Sequence, residues 1–383
     1  MRTLTCLGVA SLIWILVLGQ WYRPDPSAVL DHSQVSDQAQ ALAKRQVTLF
    51  ARTDPSVQLQ TLNPEWELMT RAFIAWSFAN LAMRDPRRKA ELLPLIDRII
   101  ADTEADEAKG GAPAFLLGYG TKMKTSLFVD SEIALMLGLR RMVEEREDYK
   151  APMQARLAAM TARMSSTALL SDPSYPNDCW TFDHSVALAA MKVGDQLDGT
   201  DHSQLTRAWL QVAKKRLLDP KTGMLVSDYH LDGSFRDGPE GSSIWLSATM
   251  LSVVDPPFAR QQYELAKKHL AHSIARFGLA REWPRGVSGR TDIDSGIQLP
   301  VLEASPSSSG FALVAAATFS DRELLTRLLA SLDYAGFPQH DPNGLSYAAG
   351  NEMGDAVLLY ALTEGPAWDR LSSKQSRLEE ARR

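Results

Sequence analysis

Val186-Ala187-Leu188-Ala189-Ala190 is apolar at every position and small at most of them. Three further stretches share that character: Phe73-Ile74-Ala75-Trp76, Ile133-Ala134-Leu135-Met136 and Phe311-Ala312-Leu313-Val314-Ala315-Ala316. A helix made of such a run has no face for water and must be enclosed by others. Segments 91–102, 148–163 and 258–276 are of a second kind, charged along one side, and belong at the periphery. Twelve apolar-periodic segments can be counted, near 36–51, 65–84, 88–104, 130–145, 150–168, 184–197, 203–217, 242–254, 257–276, 308–319, 321–333 and 351–363. The two kinds tend to alternate. Six inner and six outer helices predict an all-α (α/α)6 toroid, in which helical hairpins succeed one another around a common axis. A superhelical solenoid of hairpins is the alternative, but the chain lacks the fixed-period repeat that solenoids show.

The chain has 383 residues, of which 45% are hydrophobic and 23% charged, which excludes a disordered or collagen-like protein. Its net charge of -5, with no long Lys/Arg run, excludes nucleic acid as the main partner. Two cysteines, Cys6 and Cys179, are too few for a disulfide framework or a thiolate zinc site. No charge falls between Arg2 and Arg23, and the apolar run from Thr3 to Tyr22 has the roughly 20 residues a membrane-crossing helix needs. Trp21 and Tyr22 stand where an aromatic belt would hold the outer interface. The expectation is an uncleaved signal-anchor at 1–23, a linker at 24–37, a catalytic-type toroid at 38–370 and a charged tail at 371–383. The body then faces the periplasm or the cell exterior. Secretion after signal cleavage is the alternative, although no clear small-x-small cleavage site follows the run.

Four connections leading into inner helices are long and rich in Gly, Pro, Asp and Trp: 104–130, 169–184, 218–242 and 277–308. Loops longer than roughly 15 residues in a compact domain are usually functional. All four fall at one end of the inner helices and should line one cleft. The first carries Tyr119 and ends Asp130-Ser131-Glu132. The second reads Tyr175-Pro176-Asn177-Asp178-Cys179-Trp180-Thr181-Phe182-Asp183-His184 and is the densest in reactive side chains. The third carries Tyr229, Asp237 and Glu240, with a β-hairpin expected around Asp232-Gly233, and the fourth carries Trp283, Asp292 and Asp294. Acids at helix starts have an ordinary role as caps and dipole partners, and Asp130, Ser131 and Asp183 are candidates for it. Acid pairs converging on one cleft also suit acid/base chemistry, because close carboxylates push each other's pKa values apart. The seven histidines are scattered without ligand spacing, so no metal is expected. No P-loop and no G-x-G-x-x-G before a helix occurs, so no nucleotide cofactor is expected either.

The stretch from His184-Ser185-Val186-Ala187 through Gly199-Thr200-Asp201, Thr206-Arg207-Ala208-Trp209-Leu210 and Leu218-Asp219-Pro220-Lys221-Thr222-Gly223 to Asp255-Pro256-Pro257-Phe258 resembles the linalool dehydratase/isomerase family. Weaker echoes are Gly118-Tyr119-Gly120-Thr121, Leu135-Met136-Leu137-Gly138-Leu139 and Arg84-Asp85-Pro86. The resemblance implies an (α/α)6 barrel and cofactor-free movement of water on and off an alcohol. It also implies altered chemistry. The family's two pocket cysteines fall at Ser174 and Asp183, its pocket histidine at Glu132 and a pocket tyrosine at Gly241.

The leading expectation is therefore a membrane-anchored hydro-lyase or isomerase of that kind, with Glu132 and Asp183 as the acid/base pair and Asp130 and Asp178 tuning them. Tyr119, Tyr175, Cys179, Trp180, His184, Tyr229, Asp237, Glu240, Trp283, Asp292 and Asp294 would bind a small-molecule or glycan substrate. Two alternatives stay open: a glycoside hydrolase or polysaccharide lyase on an envelope glycan, and a non-catalytic envelope protein that binds a glycan or a partner.

Overall fold

The computed structural model describes residues 2–287, 289–290 and 298–372. After α1 (Arg2–Trp21) and the short α2 (Ser27–Leu30), outer and inner helices alternate. The outer set is α3 (Asp37–Arg52), α5 (Lys89–Gly110), α7 (Lys150–Ser165), α9 (Ser203–Arg216), α11 (Pro256–His269) and α13 (Arg322–Ala335). The inner set is α4 (Pro64–Arg84), α6 (Leu127–Val143), α8 (Thr181–Asp198), α10 (Gly241–Leu251), α12 (Pro306–Thr318) and α14 (Glu352–Thr363). Helix α4 packs on α6, α6 on α8, α8 on α10, α10 on α12 and α12 on α14, and α14 returns to α4. That last contact closes the ring and removes the solenoid alternative.

The outer helices show the expected one-sided burial. In α3 only Ala39, Leu42, Ala43, Gln46 and Phe50 are buried, whereas α8 is buried at every position from Thr181 to Met191. Several starts are fixed by capping side chains: Ser36 for α3, Asn63 for α4, Asp255 for α11, Ser305 for α12, Asp321 for α13 and Asn351 for α14. Helices α6, α8 and α10 have no side-chain cap, and Asp130, Ser131 and Asp183 do not act as one. Helix α6 starts earlier than the sequence reading placed it, at Leu127 after Ser126.

Short strands occupy the connections. Strands β1 (Asp178–Trp180), β2 (Asp228–His230) and β3 (Phe235–Asp237) form one antiparallel sheet, which includes the hairpin expected at Asp232-Gly233. Two more hairpins, β4 (Ala271–Ile274) with β5 (Phe277–Ala280) and β6 (Pro338–Asp341) with β7 (Gly344–Tyr347), were not expected. The first of these corrects the helix read at 257–276, which ends at His269.

Arg2–Trp21 is helical, and Leu4, Leu7, Val9, Leu12, Ile13, Trp14, Leu16 and Val17 on it are exposed. Among the described residues, however, no helix is long and apolar enough to cross a membrane. The expected membrane span thus has no support from the structure.

One ion cluster anchors the first hairpin. Arg71, fully enclosed on α4, meets Asp54 at 2.7 Å, Glu67 at 2.9 Å and Asp106 at 3.0 Å. Replacing Arg71 by Met is expected to cost about 3–5 kcal/mol in chemical denaturation, because it leaves buried carboxylates without their counter-charge. A loss under about 1 kcal/mol would mean that these acids are solvated and the cluster is peripheral.

Candidate functional site

The six connections that lead from an outer to an inner helix all arrive at the same end of the ring, where a cavity of about 740 Å³ opens. Its polar lining includes Glu65, Asp183, Glu240 and Asp355, each at the mouth of a different inner helix. Its aromatic lining includes Trp66, Phe128, Tyr175, Trp180, Phe182, Phe311 and Tyr347. Among the described lining residues there is no Lys, Arg or His. The N-terminal ends of the inner helices meet here, and their dipoles favour negative charge at this end.

Asp183 lies in the first turn of α8 and is 5% exposed. The hydroxyl of Ser174 donates to its Oδ2, yet burial outweighs that bond and pushes its pKa up to about 7. Glu132, on the neighbouring helix α6, is fully buried, and neither of its carboxylate oxygens has a hydrogen-bond partner among the described residues. Burial, with the Asp183 charge nearby, holds it well above the ordinary carboxyl range. It is not part of the lining and stands in the same electrostatic neighbourhood as Asp183 and Tyr360. The structure therefore brings Glu132 and Asp183 together, with Asp183 touching the cavity and Glu132 behind it. Phe73 packs on Phe311 at 5.8 Å and on Tyr360 at 5.5 Å, and of these rings Phe311 lines the cavity.

The other expected residues divide into two groups. Tyr175, Trp180 and Glu240 line the cavity. Tyr175 donates to Glu65, accepts a bond from the Leu117 backbone at 2.9 Å, and carries the half-exposed Tyr119 stacked at 4.3 Å. The indole N–H of Trp180 is buried without a partner among the described residues. The second group is employed elsewhere. Asp130 points away from the cavity and is held by Arg156 at 2.9 Å and Arg163 at 2.5 Å, both on α7. Asp178 pairs with Arg236 and with His230 at 3.1 Å, and Asp237 pairs with Arg290 at 2.5 Å. Those two arginines converge on Asp228, at 3.2 Å each, so the acids of the β-sheet share an Asp/Arg network with Arg290 from the later connection. Neither tuning carboxylate, Asp130 or Asp178, reaches Asp183.

His184 is wholly buried. Its Nδ1–H donates to the Trp180 carbonyl at 2.7 Å, its Nε2 accepts from the Asp172 backbone at 3.1 Å, and its ring stacks on Trp209. Burial lowers its pKa to about 4, so it is a neutral strut for the loop and not a proton carrier at neutral pH. Tyr229 is equally enclosed and bonded to Ser171 at 2.8 Å, and burial raises the Cys179 thiol far above its ordinary value. Trp283 is buried outside the lining. Asp292 and Asp294 lie outside the described residues. A tyrosine has no room at position 241, where any Cβ would strike Ser308 Oγ and the Arg281 carbonyl. Among the described residues, no three His, Cys, Asp or Glu side chains are grouped to hold a metal ion.

Sequence reasoning passed over Glu65, Trp66 and Asp355. The start Asn63-Pro64-Glu65-Trp66 joins an acid to an aromatic at a helix mouth, as the loop from Trp180 to Asp183 does, and that signal was available.

No protein-family profile matches the chain. Solved structures do resemble it. A family 76 glycoside hydrolase, an α-mannanase of Bacteroides thetaiotaomicron, superposes with a TM-score of 0.52 at 12% identity over 80% of this chain and 87% of its own. A family 105 glycoside hydrolase of C. acetobutylicum gives 0.51 at 11% identity over 88% and 100%. A possible family 105 member from Klebsiella pneumoniae gives 0.50 at 12% over 79% and 82%. The likeness is one of fold. It supports the (α/α) toroid, while the linalool dehydratase/isomerase family is not shown by any of these comparisons.

The toroid's buried carboxyls set a pH dependence. Asp183 and Asp355 are both raised from 3.8 to about 7, so between those limits the folded chain holds protons that the unfolded chain has released. Stability is therefore highest toward the lower limit and falls as pH rises to 7, by up to roughly 1.4 kcal/mol per pH unit for each group. Asp198, held low by Arg141, works in the opposite sense and is lost only at stronger acidity. The midpoint of thermal unfolding is expected to be higher at pH 5 than at pH 8, and Asp183→Asn is expected to flatten the slope. An unchanged midpoint across that range would show these carboxyls to be ionised and solvated.

Proposed function

We propose that the chain is a glycan-acting hydrolase that uses acid/base catalysis at Asp183. The observation that carries this is a carboxyl poised near neutrality and facing a cavity walled by Trp66, Trp180, Tyr175 and Phe182. A carboxylic acid with a raised pKa is what protonation of a leaving oxygen requires, and aromatic faces suit the apolar sides of sugar rings. Asp183 is the general acid in this reading and Glu240, at the adjoining helix mouth, is the second carboxylate. Glu132 keeps the ground behind Asp183 neutral. The fold neighbours named α-mannanase and glycoside hydrolase support the substrate class. A lining with four carboxyls and no described cation favours a neutral sugar over a uronate, whose own carboxylate would be repelled. This also favours hydrolysis over the lyase route. A location outside the cytoplasmic membrane belongs to the same proposal and rests on the apolar N-terminal stretch.

A second reading, water loss from or addition to an alcohol, is favoured by one feature: much of the cavity wall is aliphatic. The deciding experiment incubates the full chain with neutral oligosaccharides and with tertiary and allylic alcohols and weighs the products. One water gained per shortened oligosaccharide supports the hydrolase. One water lost from an alcohol overturns it in favour of the second reading. No mass change in either set favours a binding protein.

A further inference from the structure

The cavity has two halves of different chemistry. Glu65, Asp183 and Glu240, with Tyr175 and Trp180, ring the half at the mouths of α4, α8 and α10. The other half runs sideways through the wall of the toroid, between inner helices α12 and α14 on one side and outer helix α13 with β5 on the other. Leu313, Val357 and Leu358 face it from the inner layer, and Leu279, Leu328 and Leu332 from the outer layer. Leu328 and Leu332 are one turn apart on α13, on the face that should interdigitate with the inner ring. Packed layers seldom leave voids larger than a water molecule, so an open apolar space here is a departure that needs a reason.

Two polar side chains of this half are already engaged. Ser331, on the same face of α13, donates to the Gly278 carbonyl at 2.6 Å, and Asp355 accepts from the Tyr347 backbone at 3.2 Å. The space therefore offers a ligand little except aliphatic contact. Leu299 of the loop before α12 lines it and is itself partly exposed, and Tyr334 and Phe337, at and just past the end of α13, are exposed apolar side chains of the same segment. Tyr22, just past the apolar helix α1, packs on Tyr334 at 5.3 Å and on Phe277 at 6.2 Å. The acid half and the aliphatic half form one continuous space.

We infer that the side pocket between α12, α13 and α14 takes the hydrocarbon chain of an amphiphilic substrate, whose neutral sugar end lies at Asp183 and Glu240. The inference rests on the glycan reading above for the sugar end alone. A purely polar oligosaccharide would leave the Leu313, Leu328 and Leu332 walls facing water, at a cost proportional to the apolar area left wet.

The test measures binding to the full chain by calorimetry, with n-alkanols from butanol to decanol as one series. Methyl and octyl β-glucoside, and methyl and octyl α-mannoside, form the second set, below micellar concentrations. Alkanol affinity is expected to rise by up to about fourfold per methylene. Each octyl glycoside is expected to bind at least about tenfold more tightly than its methyl partner, a modest fraction of that ceiling. Leu332→Trp and Leu279→Trp fill the space from opposite walls, and each is expected to abolish the dependence on chain length with the unfolding midpoint near that of the parent. Either variant suffices if the other fails to fold. Affinity that does not grow with chain length, or growth that survives the tryptophan variants, overturns the inference. Methyl and octyl glycosides cleaved with equal efficiency overturn it too and leave the hydrolase standing. Tight, chain-length-dependent alkanol binding without cleavage of any glycoside supports the pocket and removes the glycan reading.

Discussion

Replacing Asp183 by Asn is expected to lower kcat by about 10²–10⁴-fold, the range over which positioned acid/base groups act. The amide keeps the shape and still accepts the Ser174 hydroxyl bond, but it has no proton to give at neutral pH. Thermal stability should be unchanged or slightly higher at pH 8, because a buried carboxyl that would ionise there has been removed. In the parent enzyme kcat/KM should fall as pH rises past about 7, since a general acid works only while protonated. The measurements are the rate of product formation on a cleaved oligosaccharide, its pH profile, and the unfolding midpoint of the same preparation. Full activity combined with a destabilised fold would return Asp183 to a purely structural role.

Glu132→Met is expected to move activity and stability in opposite directions. The parent carboxyl is fully buried with both oxygens unpartnered, an arrangement that costs about 1–3 kcal/mol per unsatisfied group. Methionine is close in volume and carries no such demand, so the unfolding midpoint should rise by roughly 2–8 °C for a chain of this size. Turnover should fall at the same time, because the proton held behind Asp183 has been lost, whereas the activity limb near pH 7 should stay in place, since Glu132 is uncharged when Asp183 ionises and burial is what raises Asp183. Such a trade is expected where a costly residue serves a site. A variant that is both less stable and fully active would show that Glu132 is merely part of the packing.

The inner-and-outer rhythm of the helices was legible because burial on all sides and burial on one side leave different patterns, as Val186–Ala190 and the one-sided α3 show. The direction of each acid was only half legible. Asp130 and Glu132 are two positions apart, roughly 200° around a helix, so they could not both face the same axis. The helix period alone thus separates them, once the start of α6 is known. Asp178 was misplaced for a different reason. It belongs to a strand whose partners, Arg236 and Asp228, come from a connection some fifty residues later, and no local pattern announces that pairing. The β4–β5 hairpin was hidden by its turn. Ala275 there adopts a φ of 53°, a conformation whose usual markers are Gly and Asn, so the stretch read as a continuing helix.

The contact of α14 with α4 has a consequence for how the protein is made. A nascent chain emerging from the ribosome exposes the apolar flank of α4 long before the strand of sequence that will cover it, Glu352–Thr363, has been translated. Until then the arc is open at both ends, and each end is a greasy surface available to any other unfinished copy. Synthesis is vectorial, whereas this closure joins its first and last acts. The unclosed arc is therefore the state of this protein most open to aggregation, since transiently exposed apolar surface is what incomplete chains stick by.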